Sequence, residues 1–439
     1  MGQDDLARLS TALARLSQIP RAKMQEASRH APFTEVIDLC VELFPDQVGL
    51  THEGKPARDD VRWGLLNLFD STGLPSEANA SSISTAVEHA MMATGGETIH
   101  LCPLDEADTL PRLRFGPCEV RTFSKTEFSE IIQYERLKRR FHSLSIDINS
   151  FARFDWLVVR EPVTFAATLK NRSGFFRRID FQMDRDLGAI QPYAKKWPAA
   201  VERAVFALLL LKWEDMVQHR DIDWRAFRIP WVYSVPADVL DAPPYPKGPE
   251  TLTWEPDFYR DEETGEEVET ERPFCLPLND DLDAYYADLT DERWRSLETA
   301  QASPVVNPLV VHFLTRAFAS EGIDEFLGHI TTIEAALGMS SDYGIGRPRP
   351  SIGRSNPGAT ERVKRRISAL TGDATMATVF EGLFNLRSTF LHGRPIAEVS
   401  STQRVQARAL ARQVVECLIQ TAQTTTAPDR DTYLTSLCP

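Results

Sequence analysis

Leu6, Leu9, Leu13 and Leu16 recur at three- and four-residue intervals and predict a helix with one apolar face over residues 5–16. The same spacing predicts a second helix over 33–44, and a third apolar segment runs from Val61 to Phe69. Thr98–Cys102 and Leu113–Val120 read as short strands, and 125–142 returns to a helical period. Trp156–Val159 and Val163–Leu169 read as strands on either side of Pro162, followed by an apolar helix over 199–218 and a strand over Phe227–Val235. Past residue 285 no strand pattern survives. The segments 290–302, 308–320, 322–338, 360–371, 376–392 and 401–423 all repeat at helical spacing. Asn307-Pro308 supplies a cap and a first-turn proline, Ser400 with Gln403 makes a capping box, and Gly393 before Pro395 is a stop. Met339–Thr360, rich in Gly, Pro, Ser and Arg, interrupts the helices as a loop.

This order predicts an α+β chain: an N-terminal mixed α/β domain over 1–285, an all-α bundle over 286–425, and a polar tail over 426–439. The boundary falls in a connector over 241–280. There Ala-Pro-Pro-Tyr-Pro-Lys-Gly-Pro at 242–249 stiffens the backbone, and Asp261–Glu271 carries seven acids and one glycine. That acidic tract is expected in solvent, as a charged hairpin or linker.

Charge narrows the function. A net charge of −14 argues against a protein that coats nucleic acid by electrostatics alone. Residues 305–424 nevertheless hold thirteen Lys/Arg against ten Asp/Glu, so the rest of the chain carries −17. If phosphates are handled, they go to the C-terminal part. The six cysteines stand apart, at 40, 102, 118, 275, 417 and 438, which fits buried thiols better than a disulfide framework or a zinc site. No metal ligands or cofactor are expected. No apolar run is long enough for a bilayer, and Met1-Gly2-Gln3-Asp4-Asp5 does not read as an export signal, so a cytoplasmic protein without membrane contact is expected.

The chemistry concentrates in Asn-Leu-Arg-Ser-Thr-Phe-Leu-His-Gly at 385–393. Arg387 is a permanent cation suited to phosphate, and the imidazole of His392 can give or take a proton near neutral pH. On a helical wheel Arg387 falls inside the apolar arc of Val379, Phe380, Leu383, Phe384 and Leu386. Glu334 likewise falls inside the apolar stripe of Ile323, Phe326, Ile330 and Leu337. Two charges on buried faces need each other, so Glu334 is expected to hold Arg387; the competing reading is a core salt bridge without a chemical role. His392 lies roughly 140° from Arg387 around an ideal helix. Either the last turn unwinds, or a second copy of the chain completes the site.

The C-terminal 120 or so residues resemble the HEPN superfamily, whose ribonuclease members carry an Arg, a polar residue, three variable residues and a His. Here these are Arg387, Ser388, Thr389-Phe390-Leu391 and His392. The flanks, Ile-Glu-Ala-Ala-Leu-Gly at 333–338 and Glu-Arg-Val-Lys-Arg-Arg at 361–366, are similar to the ApeA-like anti-phage branch. The resemblance implies a metal-independent endoribonuclease that works as a homodimer with a composite site and leaves a 2′,3′-cyclic phosphate and a 5′-hydroxyl. Arg387 and His392 would be catalytic, with Ser388 and Glu334 in support. It also implies an abortive-infection effector whose phage-derived trigger or antitoxin is not identified. The alternative is a HEPN module that binds RNA, nucleotide or a protein partner without cleaving.

For RNA contact, Arg347, Arg349 and Arg354 lie on the 339–360 loop, and Arg362, Lys364, Arg365 and Arg366 flank the stripe Val363, Ile367 and Leu370. Glu135-Arg-Leu-Lys-Arg-Arg-Phe-His142 contains a second, looser Arg–His pair, Arg136 and His142, expected to sit on a solvated basic face.

Overall fold

The computed structural model describes residues 2–18, 30–51, 53–143, 145–172, 189, 191, 194–260, 265–280, 282–344, 356–395 and 398–438. The chain opens with helices α1 (Gln3–Arg15), α2 (Ala31–Leu43), α3 (Arg58–Thr72) and α4 (Ala80–Met92). Their leucine, valine and phenylalanine faces close on a core of their own, which also takes in Leu169 and Leu240. The helix α4 lies outside the elements expected from the sequence, because its Ala/Ser-rich face carries a weak apolar period.

A five-stranded antiparallel sheet follows, built from β1 (Gly95–Leu104), β2 (Leu113–Phe115), β3 (Cys118–Arg121), β4 (Asp155–Thr164) and β5 (Tyr233–Val235), in the order β2-β3-β4-β1-β5. Pro162 does not break β4. It pairs with Glu97 on β1, beyond the stretch where β3 bonds the other edge of β4, so no ladder donor is missed. Helices α5 (Lys125–Ile131) and α6 (Tyr134–Arg140) divide the expected 125–142 helix, since Gln133 takes a left-handed conformation between them.

Side chains alternate across β1 and β4 with period two. Leu101, Trp156 and Val158 face a small aromatic core with Phe128, Phe151 and Trp231. Cys102, Leu157 and Val159 face the large core. That second core includes α7 (Ala199–Leu209) and the C-terminal helices α8 (Asp291–Ala302), α9 (Pro308–Phe318), α10 (Gly322–Leu337), α11 (Ala359–Thr371), α12 (Ala374–Leu391) and α13 (Ser401–Ala422). The composition break at 241–280 is therefore not a break in packing.

Buried charges cross the same line. Arg225 reaches Glu325 at 2.9 Å, and Glu214 takes Arg412 at 2.7 Å. The β2–β3 turn is clamped too. Gly116, at φ +56°, donates its N–H to Asp291 at 2.8 Å, and a Cβ there would lie 2.4 Å from the Trp294 ring. In the connector, β6 (Trp254–Arg260) and β7 (Glu267–Pro273) pair as an antiparallel acidic ribbon. The stretch beyond 425 is not a loose polar tail. Helix α14 (Arg430–Ser436) buries Tyr433 and Leu434 in the main core, and Arg430 donates to the carbonyls of Ala335 and Gly338, capping α10.

Candidate active site

Glu334 projects from the last turn of α10 and Arg387 from the last-but-one turn of α12. The carboxylate and the guanidinium meet at 3.3 Å, both largely shielded from solvent. Both side chains stand among apolar neighbours on their helices, and they meet in the pairing expected from the wheel positions. Two further contacts fix them. The Tyr343 hydroxyl donates to the second Glu334 oxygen at 3.4 Å, and the Arg387 guanidinium lies over the Phe384 ring, 5.5 Å from its centroid. Burial raises the Glu334 carboxyl above the usual glutamate range, while Arg387 and Tyr343 pull it down.

Tyr343 was not visible from sequence as a site residue. It is placed by a single turn of 3₁₀ helix, Ser340–Tyr343, after Gly338 ends α10. Asp342 in that turn is fully buried and receives Arg366 Nη2 at 3.0 Å and the Met339 N–H at 2.9 Å. Arg366 also donates to the carbonyls of Leu337 at 2.8 Å and Leu434 at 3.1 Å. The guanidinium thus ties the end of α10, the turn and α14 into one unit beneath the Glu334–Arg387 pair.

This arrangement corrects the expected basic surface. Arg362 and Arg366 are each 2 % exposed and serve Asp342 and backbone carbonyls, so they cannot grip RNA. The turn and α14 cover the face that a wheel drawn on α11 alone leaves open. Lys364 pairs with Glu381 at 2.9 Å and Glu361 at 3.1 Å, and Arg365 with Glu361 at 3.3 Å. Their charge is compensated in place. Arg347, Arg349 and Arg354 lie outside the described residues. The looser pair is corrected as well: Arg136 is 3 % exposed and donates to the carbonyls of Val239 and Asp241, a structural anchor rather than a solvated face.

His392 stands at the C-cap of α12 and is exposed to solvent. The last turn stays wound: the His392 N–H reaches the Ser388 carbonyl at 3.0 Å. Beyond it the chain closes with the paired bonds of a Schellman motif, Gly393 N–H to Phe390 O at 3.0 Å and Arg394 N–H to Thr389 O at 3.1 Å. Gly393 takes φ +67°, a conformation glycine adopts without cost. Unwinding is thereby removed as the way to bring imidazole and guanidinium together within one chain, and the two leave the helix axis about 140° apart. Ser388, half-buried beside Arg387, contributes its carbonyl to this helix end. Phe390 and Leu391, the two residues before His392, are 38 % and 52 % exposed, and Tyr343 is 51 % exposed.

Elsewhere, His100 is satisfied by Ser234 at 2.8 Å and Glu161 at 3.1 Å within the sheet, and Cys102 and Cys118 are buried thiols. Among the described residues no group of His, Cys, Asp or Glu is placed to hold a metal ion, and no helix is long and apolar enough to cross a membrane. No protein-family model, curated protein or solved structure matches this chain.

Proposed function

We propose that this chain is a HEPN-type endoribonuclease that cleaves RNA without a metal. The observation that carries the reading is the Glu334–Arg387 pair at 3.3 Å, held under Tyr343, with a solvent-facing His392 at the end of the same helix. Arg387 would hold the non-bridging phosphate oxygens as negative charge builds. A His392 imidazole would take the proton of the ribose 2′-hydroxyl as its oxygen bonds to phosphorus. The P–O5′ bond breaks, and a second imidazole returns a proton to the departing 5′-oxygen. The products are a 2′,3′-cyclic phosphate and a 5′-hydroxyl. DNA lacks the 2′-hydroxyl and would be inert.

Two imidazoles and a guanidinium on different sides of an intact helix call for two chains. The uncovered Phe390 and Leu391 are where a second α12 would pack, making the site composite. In a bacterial cell such an enzyme would act as an abortive-infection effector, with the N-terminal region restraining or sensing.

The test is incubation of the purified chain with total RNA, with and without EDTA. Cleavage that persists in chelator and disappears in Arg387→Ala and in His392→Ala supports the proposal; loss of cleavage on chelation refutes it. One observation favours a second reading, a module that binds RNA, nucleotide or protein without cutting: α11 keeps little uncompensated positive charge for a substrate. Labelled RNA bound but unshortened across a wide pH range would favour that version.

A further inference from the structure

A cavity of about 450 Å³ opens where the two halves of the chain meet, between the end of α7, the short helix Asp283–Tyr286 and α13. Its volume falls within the ~300–1,000 Å³ of small-molecule sites. Leu210, Leu211 and Leu289 give it an apolar lining, a place for a hydrocarbon body to leave water.

The charges around it do not balance. Arg412, which also lines the cavity, is only 8 % exposed. Its Nε donates to Glu214 Oε1 at 2.7 Å, and its two Nη groups make no hydrogen bond among the described residues. The other Glu214 oxygen stands 3.4 Å from Nε of the fully buried Arg408. Two guanidinium groups therefore share one carboxylate. Burial pulls Arg408 down to about 10, with Arg412 and Arg225 adding to the effect, which still leaves it a cation at neutral pH. The neighbouring buried acids are occupied elsewhere: Glu325 and Asp223 each pair with Arg225 at 2.9 Å. Of the remaining lining charges, Arg293 and Glu416 pair with each other. Lys212 and Asp288, both exposed, have side chains without a partner among the described residues and offset one another in charge. One positive charge is left over, shared by Arg408 and Arg412.

A surplus charge in the interior is costly unless an anion meets it. The two Nη groups of Arg412 form a planar fork that fits the two oxygens of a carboxylate. A surplus of one matches a single negative charge, and the leucine lining calls for an apolar body beside it. We propose that this cavity binds a small organic monocarboxylate, its oxygens on the Arg412 Nη groups and its hydrocarbon part against Leu210, Leu211 and Leu289. The proposal stands independently of the nuclease reading, since none of these residues belongs to the Arg387 site.

The experiment is titration of the full chain with 4-methylpentanoate, followed by calorimetry and by the shift in the thermal unfolding midpoint. Acetate, 4-methylpentan-1-ol and inorganic phosphate serve as partial ligands. Saturable binding of 4-methylpentanoate tighter than ~1 mM is expected, with all three partial ligands at least about tenfold weaker. Arg412→Lys keeps a cation for Glu214 but loses the fork, and should weaken binding at least about tenfold. Lys212→Glu and Ala284→Trp stand at exposed positions that do not endanger the fold. The first repels the anion and the second obstructs the cavity, so each should weaken binding at least about threefold. The idea fails if 4-methylpentanoate does not saturate, or if the alcohol or phosphate binds as tightly. It fails also if neither exposed variant alters affinity, or if Arg387→Ala abolishes binding, because the carboxylate would then sit in the other site.

Discussion

Arg387 and His392 carry the proposed chemistry, but their neighbours decide what each can do. Replacing either by alanine is expected to abolish RNA cleavage; His392→Ala, at an exposed position, should leave thermal unfolding nearly unchanged, whereas Arg387→Ala takes the cation from a largely shielded Glu334 and should lower the unfolding midpoint. Glu334 is different. Its carboxyl titrates above the ordinary glutamate value in the folded chain, so the folded state binds the extra proton between the two values. Stability attached to this group therefore falls as pH rises through that window and is constant above it. Glu334→Gln should remove this slope in denaturation curves taken across the acidic range, and should lower cleavage by leaving the guanidinium unsteered. Among the arginines of α11, burial separates roles that the sequence lists together. Arg366→Met leaves Asp342 buried and short of a partner, a loss of about 3–5 kcal/mol by chemical denaturation. Arg365→Ala, at a solvated ion pair, should leave the midpoint where it was.

At the scale of elements, helix ends were readable and helix faces less so. Asn307 accepts the Leu309 N–H, Ser400 and Gln403 close their capping box, and Gly393 ends α12, all as the residue types require. The opposite case is His329 on α10, fully buried and edge-on to Trp224 at 5.5 Å, with neither ring nitrogen hydrogen-bonded among the described residues. Burial, reinforced by Arg408, Arg225 and Arg404, pushes its imidazole well below the usual histidine range. The unfolded chain thus takes up a proton below about pH 6.5 that the folded chain refuses. Stability should fall as pH drops from there, and His329→Leu should flatten that fall in unfolding curves measured between neutral and acidic pH. No period in the sequence marks this residue, since only its neighbours from other elements set its charge state.

For the whole molecule, the decisive feature is that α7 and the 213–229 segment share a core with the C-terminal helices. Arg225, buried against Glu325 and donating to the Phe318 carbonyl at 2.9 Å, belongs to that junction. Arg225→Met should cost about 3–5 kcal/mol and destabilise both halves in one cooperative transition, not just the N-terminal part. Separate transitions by calorimetry would contradict the shared core. Light scattering of the purified chain should give twice the chain mass, and Phe390→Glu with Leu391→Glu should return it to one chain and abolish cleavage with it.

Residue chemistry and period alone determined the α+β class, the α-helices described between 291 and 422, and the pairing of Glu334 with Arg387. Those rest on local spacing and on the cost of an unpaired charge, which act along a single helix or between two. Tertiary structure decided that Arg362 and Arg366 are anchors rather than part of a basic surface, that Arg136 is an anchor rather than part of a solvated face, and that residues 430–436 cap α10. It also brought Tyr343 to Glu334 and wound α12 through to His392. The physical reason is the same throughout: whether a charged side chain meets water or a carbonyl depends on which distant segment covers it, and no window of sequence contains that segment.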